Sequence, residues 1–188
     1  MIEKCFIIGR GASLEGFDFS ILDNEYKISV NGFHGSPNAI VFLDSIFVTK
    51  NLEDLISFNG DIYTCKESKY MEIAKELDTG QRIHEIFLRK GSRDNSSGIS
   101  AIEVALDLAK KIYLLGYDFK YTNGRTHFDR KESHVCYKND GWLNRRLKRF
   151  EELPSNRIFN CNKDSEIKCF EFISLHNVIR ESLLKSFV

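Results

Sequence analysis

The chain has 188 residues, 42% of them hydrophobic, enough to bury one sizeable core and too few for two independent ones. Lys plus Arg and Asp plus Glu balance at 27 each, so no global field draws the protein to nucleic acid, and any anion has to be captured locally. No run of about 18 apolar residues occurs, and the opening MIEKCFIIGRG meets glycine too soon for a signal-peptide core, so a cytoplasmic protein is expected.

Two prolines and no Ser/Gly-rich tract leave no linker, and residues 1–188 read as one domain. Five cysteines, an odd number without a CxxC pair, argue against a disulfide framework or zinc. Cys5, Cys65, Cys161 and Cys169 sit in or beside β-like runs and read as buried free thiols.

The first apolar run, CFIIG, leads into Gly9-Arg10-Gly11-Ala12-Ser13. A glycine-containing turn of this kind lets backbone amides approach an anion; the plain alternative is a tight turn. It lacks the third glycine of the dinucleotide fingerprint and the Gly-Lys-Ser of a phosphate-binding loop. YKISVNGF then ends at Asn31, and AIVFLDS at Asp44, each placing a short polar side chain at a strand's carboxyl end, where open α/β sheets bind ligands. Asn can donate to and accept from a base or ribose, and Asp can hold ribose hydroxyls; a turn and a helix cap are the structural alternatives.

DIYTC and EIFLRK are further strand-like runs. The spacing of Ile99, Ile102, Ala105, Leu106 and Ala109 predicts a helix opening at Ser96-Ser97-Gly98, with Ser100 and Glu103 as a capping-box-like pair one turn in. Its free amides and positive dipole end favour a negative ligand, or simply an N-cap. KIYLLGYDF follows as a strand ending at Gly116-Tyr117-Asp118-Phe119. Trp142, Leu143, Leu147 and Phe150 mark a helix whose other face carries Arg145, Arg146, Lys148 and Arg149, read as solvated or as facing an anionic acceptor or membrane surface. RIFNCN is the last strand, and Val178, Ile179, Leu183, Leu184 and Phe187 outline a final helix. The alternation predicts an α/β fold with an open, mostly parallel sheet and helices on both faces.

Gly9-Arg10-Gly11-Ala12-Ser13-Leu14, Asn31, Ser96-Ser97-Gly98 and Gly116-Tyr117-Asp118-Phe119, in this order, resemble the motifs of the bacterial sialyltransferases of glycosyltransferase family 42 and the related domain-of-unknown-function 115 proteins. SLEGFDFSILDNEYKISVNGF and RIFNCNKDSEIK share that character, so the similarity spans most of the chain in patches. The resemblance implies a Rossmann-like fold that takes a CMP-activated sugar such as CMP-sialic acid and passes it to a glycan acceptor, without a bound metal. It implies nucleotide contacts from Gly9, Arg10, Gly11, Ser13 and Asn31, donor contacts from Ser96, Ser97 and Gly98, and cytidine and ribose contacts from Gly116, Tyr117 and Asp118. Asp44 stands where the family has an Asn.

The resemblance also implies a lid after Asp118, here the short segment 120–140, with Tyr121 and His127 near the leaving phosphate and His134 or Tyr137 as general base. A base is needed to deprotonate the acceptor hydroxyl, and imidazole is basic near neutral pH. His34, His84 and His176 join no constellation. Two other readings stay open: a metal- and ATP-dependent pyrophosphokinase holding magnesium on Asp44 and Asp118, and a nucleotide-binding module without catalysis. Homo-oligomer formation is also left open.

Overall fold

The structure, a computed structural model, describes residues 1–77, 80–86, 96–120 and 140–185. Eight strands form one sheet: β1 (Ile2–Ile8), β2 (Tyr26–Val30), β3 (Ala39–Val41), β4 (Asp61–Cys65), β5 (Ile83–Ile86), β6 (Ala109–Leu115), β7 (Ile158–Asn160) and β8 (Glu171–Phe172). Their order is β5-β4-β3-β2-β1-β6-β7-β8, and every pairing is parallel. The sheet is thus parallel throughout, beyond the expectation of a mostly parallel one.

Residues Cys5 to Ile8 of β1 are all 0% exposed, because β1 lies between β2 and β6 and is covered on both faces. That double burial is why CFII is a continuous apolar run rather than an alternating one. One face carries Cys5, Ile7, Ile112 and Leu114 under helix α4 (Ser97–Leu108) and Phe150 of α5 (Asp140–Glu151). The other splits into two clusters. Phe6, Ile8, Tyr113 and Leu115 meet Val178 of α6 (Leu175–Lys185). Ile40, Phe42 and Ile62 meet residues of α1 (Ser45–Lys50), α2 (Leu52–Ser57) and α3 (Lys69–Leu77).

From β1 the strands run outward to β5; α4 then returns the chain to lay β6 against the other side of β1. Strand order therefore reverses between β1 and β6, a Rossmann-like switch point, the place on the carboxyl edge where open α/β sheets bind ligands.

Several expectations are corrected. Ser96, rather than the Ser100–Glu103 pair, caps α4 through Ile99 N at 3.3 Å, and Ala109 opens β6 instead of closing the helix. The strand expected at residues 85–90 lies at Ile83–Ile86, the remainder being outside the described residues. Cys161 and Cys169 are half-buried, not buried, although all four described cysteines are free. The basic run is not uniformly solvated: Arg149 keeps 13% of its side chain exposed, facing Glu103 at 3.9 Å and pairing with Glu152. Among the described residues no helix is long and apolar enough to cross a membrane.

Candidate functional site

At the switch point the turns after β1 and β6 are bonded together. Gly9 N donates to Leu115 O at 2.7 Å and Gly11 N to Gly116 O at 2.8 Å. A Cβ on Gly11 would stand 2.5 Å from both Asp118 Cγ and Gly116 O, and Gly116 has φ +66°. Both glycines are thus required by the close crossing of two loops and by a left-handed backbone. Of the amides expected to approach an anion here, those of Gly9, Gly11 and Ser13, with that of Leu14 beside them, donate within the protein. Arg10, in the same turn, is half-exposed.

Asp118 follows the end of β6 and is 2% exposed. Its carboxylate accepts from Ser13 N at 2.7 Å, Ser13 Oγ at 2.5 Å and Asn162 Nδ2 at 2.7 Å, while its carbonyl accepts from Glu166 N at 2.9 Å. An acid expected to face ribose is therefore turned inward among protein donors. Sequence reasoning overlooked Asn162 and Ser165, whose Oγ donates to Tyr117 O at 2.5 Å. The signal was present: Asn160, Asn162 and Ser165 are short polar side chains that fold a turn by bonding nearby amides, as Asn160 Oδ1 and Asn162 Oδ1 do with Asn162 N and Asp164 N, both at 3.0 Å, and Ser165 Oγ with Ile167 N at 3.1 Å.

The first turn of α4 is fastened at the same edge. Ser97 Oγ accepts from Leu43 N at 3.1 Å, just past β3, and Tyr117 Oη donates to Gly98 O at 2.9 Å, from the end of β6. Burial raises the Tyr117 phenol far above its ordinary value, so it serves as a neutral donor. Ser100 N and Ile99 N are satisfied by Ser96. The Ser97 and Gly98 amides precede the helix ladder and lie at its positive end, and the Ser97 hydroxyl keeps a proton to donate.

Asn31 lies just past β2, between the ends of β1 and β3. Its amide donates to Val41 O at 3.0 Å, and its backbone is left-handed at φ 51°. Its Oδ1 is buried without a hydrogen-bond partner. A buried amide oxygen in this state loses its hydration without compensation, and the left-handed conformation adds strain that Asn tolerates better than most residues. Both costs are concentrated at a strand end on the carboxyl edge, where open α/β sheets in general bind ligands.

Asp44 lies at the same edge but is exposed, with Oδ1 accepting from Ile46 N at 2.8 Å as the N-cap of α1. All the expected nucleotide and donor residues, Gly9 to Ser13, Asn31, Asp44, Ser96 to Gly98 and Gly116 to Asp118, thus gather at the carboxyl edge. Tyr121, His127, His134 and Tyr137, together with most of the 120–140 lid, lie outside the described residues. Among the described residues no group of three His, Cys, Asp or Glu is placed to hold a metal ion.

The opposite, amino-terminal edge has an open pocket of about 560 Å³ lined by Tyr26, Phe33, Phe58, Asp61 and Arg82. There Asp61 Oδ1 is met by Arg82 Nε at 3.1 Å and His84 Nε2 at 3.0 Å. No protein-family model, curated protein or solved structure matches this chain.

Proposed function

We propose that this chain binds a nucleotide at the carboxyl edge of its sheet, and that it is a sialyltransferase-like glycosyltransferase which takes a CMP-activated sugar and passes it to a glycan acceptor. The observation that carries the nucleotide reading is Asn31, with its left-handed backbone and its buried, unpartnered Oδ1 beside the switch point. An amino group of a base or a ribose hydroxyl supplies the donor that this oxygen lacks. The Ser97 and Gly98 amides at the start of α4 favour the anionic end of such a ligand. The choice of CMP and of sugar transfer rests on the order of the sequence motifs.

In this reading His134 acts as the base on the acceptor hydroxyl, with Tyr137 the other candidate, while Tyr121 and His127 assist the departing phosphate. No metal is required. The magnesium-dependent pyrophosphokinase reading is disfavoured by its proposed ligands: three protein donors already bond to the buried Asp118 carboxylate, and Asp44 caps α1. A cytoplasmic location belongs to the proposal and is supported by the free cysteines.

Calorimetric titration with CMP in the presence of a chelator tests the reading. Binding is expected, with a roughly 2- to 10-fold loss in Asn31→Ala, the worth of one uncharged hydrogen bond. No binding of CMP by the wild type overturns it. Turnover of CMP-sialic acid separates the enzyme from an inactive binding module, and His134→Ala should lower it by about 100- to 10,000-fold.

A further inference from the structure

The glycine-containing turn after β1 has the composition of an anion site, yet the amides of Gly9, Gly11 and Ser13 are already engaged within the protein. Ser13 N and Ser13 Oγ both point at the Asp118 carboxylate, and Asn162 Nδ2 reaches the same group from the turn after β7. A backbone amide, a hydroxyl and a carboxamide thus converge on one side chain that is 2% exposed, and among the described residues no basic side chain bonds to it. Gly11 leaves room for this group: a Cβ there would lie 2.7 Å from Asp118 Oδ1.

We propose that the anion of the Gly9–Ser13 turn is the chain's own Asp118 carboxylate. Asp118 is then a positioning residue that locks the turns after β1, β6 and β7 together, and the Gly9–Ser13 turn is a wall of the ligand site rather than its phosphate cradle. The occupancy of the turn stands independently of any nucleotide; only its role as a wall rests on the function proposed above. An anion held by uncharged donors is replaceable by another of the same shape, because hydrogen-bond geometry rather than a countercharge holds it. Asp118→Ala removes Cγ and both carboxylate oxygens, and formate has the same three heavy atoms. Ser13, whose amide and hydroxyl face the vacated position, is itself exposed.

The test is thermal unfolding of Asp118→Ala in sodium formate against sodium chloride at equal ionic strength. The variant should melt below the wild type and regain part of the difference in a saturable manner at millimolar formate, with the wild type indifferent. A response to formate no larger than that to chloride overturns the proposal, as does a variant as stable as the wild type.

Asn162→Asp provides a second measurement should Asp118→Ala fail to fold. It places a new carboxylate where a donor stood 2.7 Å from Asp118. Two such acids cannot both ionise cheaply, so one is raised in the fold; stability is retained at acidic pH and lost as pH rises through the carboxylate range. An Asn162→Asp stability profile parallel to that of the wild type overturns the proposal. CMP titration of Asp118→Ala with and without formate adds a readout that a purely structural residue would not move in the folded variant: affinity should return with formate. If the wild type binds no CMP while formate still rescues the fold, the nucleotide reading fails and the assignment of the turn stands.

Discussion

The hydroxyl of Tyr117 donates to the carbonyl of Gly98 at 2.9 Å, tying the end of β6 to the first turn of α4. The bond fixes a helix start against a strand end at the edge where the candidate ligand residues gather. Its ring also packs edge-on against Phe150, at 6.3 Å between centroids. Tyr117→Phe keeps the ring and removes the donor. We expect a loss of about 0.5–1.5 kcal/mol in urea unfolding, the worth of one neutral hydrogen bond, because Gly98 lies within α4 and its carbonyl keeps its partner in the helix ladder. A loss confined to a few tenths would mean that water replaces the hydroxyl.

Alkaline pH should weaken the fold. Burial pushes the thiols of Cys5 and Cys161 from 9.0 up to about 12, and the phenols of Tyr26 and Tyr113 from 10.0 up to about 12. Between these limits the native chain holds protons that the unfolded chain has released, so stability falls as pH rises. Below 9.0 the contribution is fully present and the stability profile should be level with respect to these groups. Urea midpoints measured across this range check the sign. Cys5→Ala should lower stability at neutral pH through lost packing but decline less steeply in alkali.

How far the sequence reveals this arrangement depends on the range of each interaction. The continuous run CFII identified a strand buried on both faces, and Ser96-Ser97-Gly98 marked the start of α4, because local periodicity and end chemistry are written in neighbouring residues. β8 escaped notice since Glu171–Phe172 is only 2 residues long and has no periodicity to read. An acid at the end of β6 was legible as well. Its direction was not, because its partners Ser13 and Asn162 lie 105 and 44 positions away and only the closed sheet brings them together. Asp44 shows the same ambiguity at shorter range: a strand-end acid reads equally as a ligand or as the cap of the helix behind it.

Arg157, which drew no attention in the sequence, closes the other end of α4. Its Nη2 donates to Leu106 O at 2.8 Å and also to Ala109 O, and its Nε to Lys110 O at 3.2 Å. A fork of this shape satisfies carbonyls that have no partner past a helix end, and its charge suits the negative pole there. Arg157→Ala should cost roughly 1–3 kcal/mol in urea unfolding. Arg157→Lys should restore less than half of that, because an ammonium lacks the planar fork. Full recovery by Lys would reduce the role to charge alone.

Asn31 separates stability from binding most sharply. Replacing it with Gly relieves the left-handed strain at φ 51° and removes a buried oxygen that has no hydrogen-bond partner. The greater freedom of Gly in the unfolded chain opposes this by about 0.5–1 kcal/mol, so the expected net result is a stabilisation on the order of 1 kcal/mol. Asn31→Ala removes the same oxygen but keeps a Cβ in a conformation that favours neither Ala nor other L side chains. It should therefore be less stable than Asn31→Gly by about 1 kcal/mol. Both variants should lose CMP affinity alike, since both lack the acceptor. Urea unfolding in the absence and presence of CMP measures the two effects on one sample. Equal destabilisation of Gly and Ala variants would mean that the Asn31 side chain supports the fold, and its oxygen would then no longer argue for a ligand.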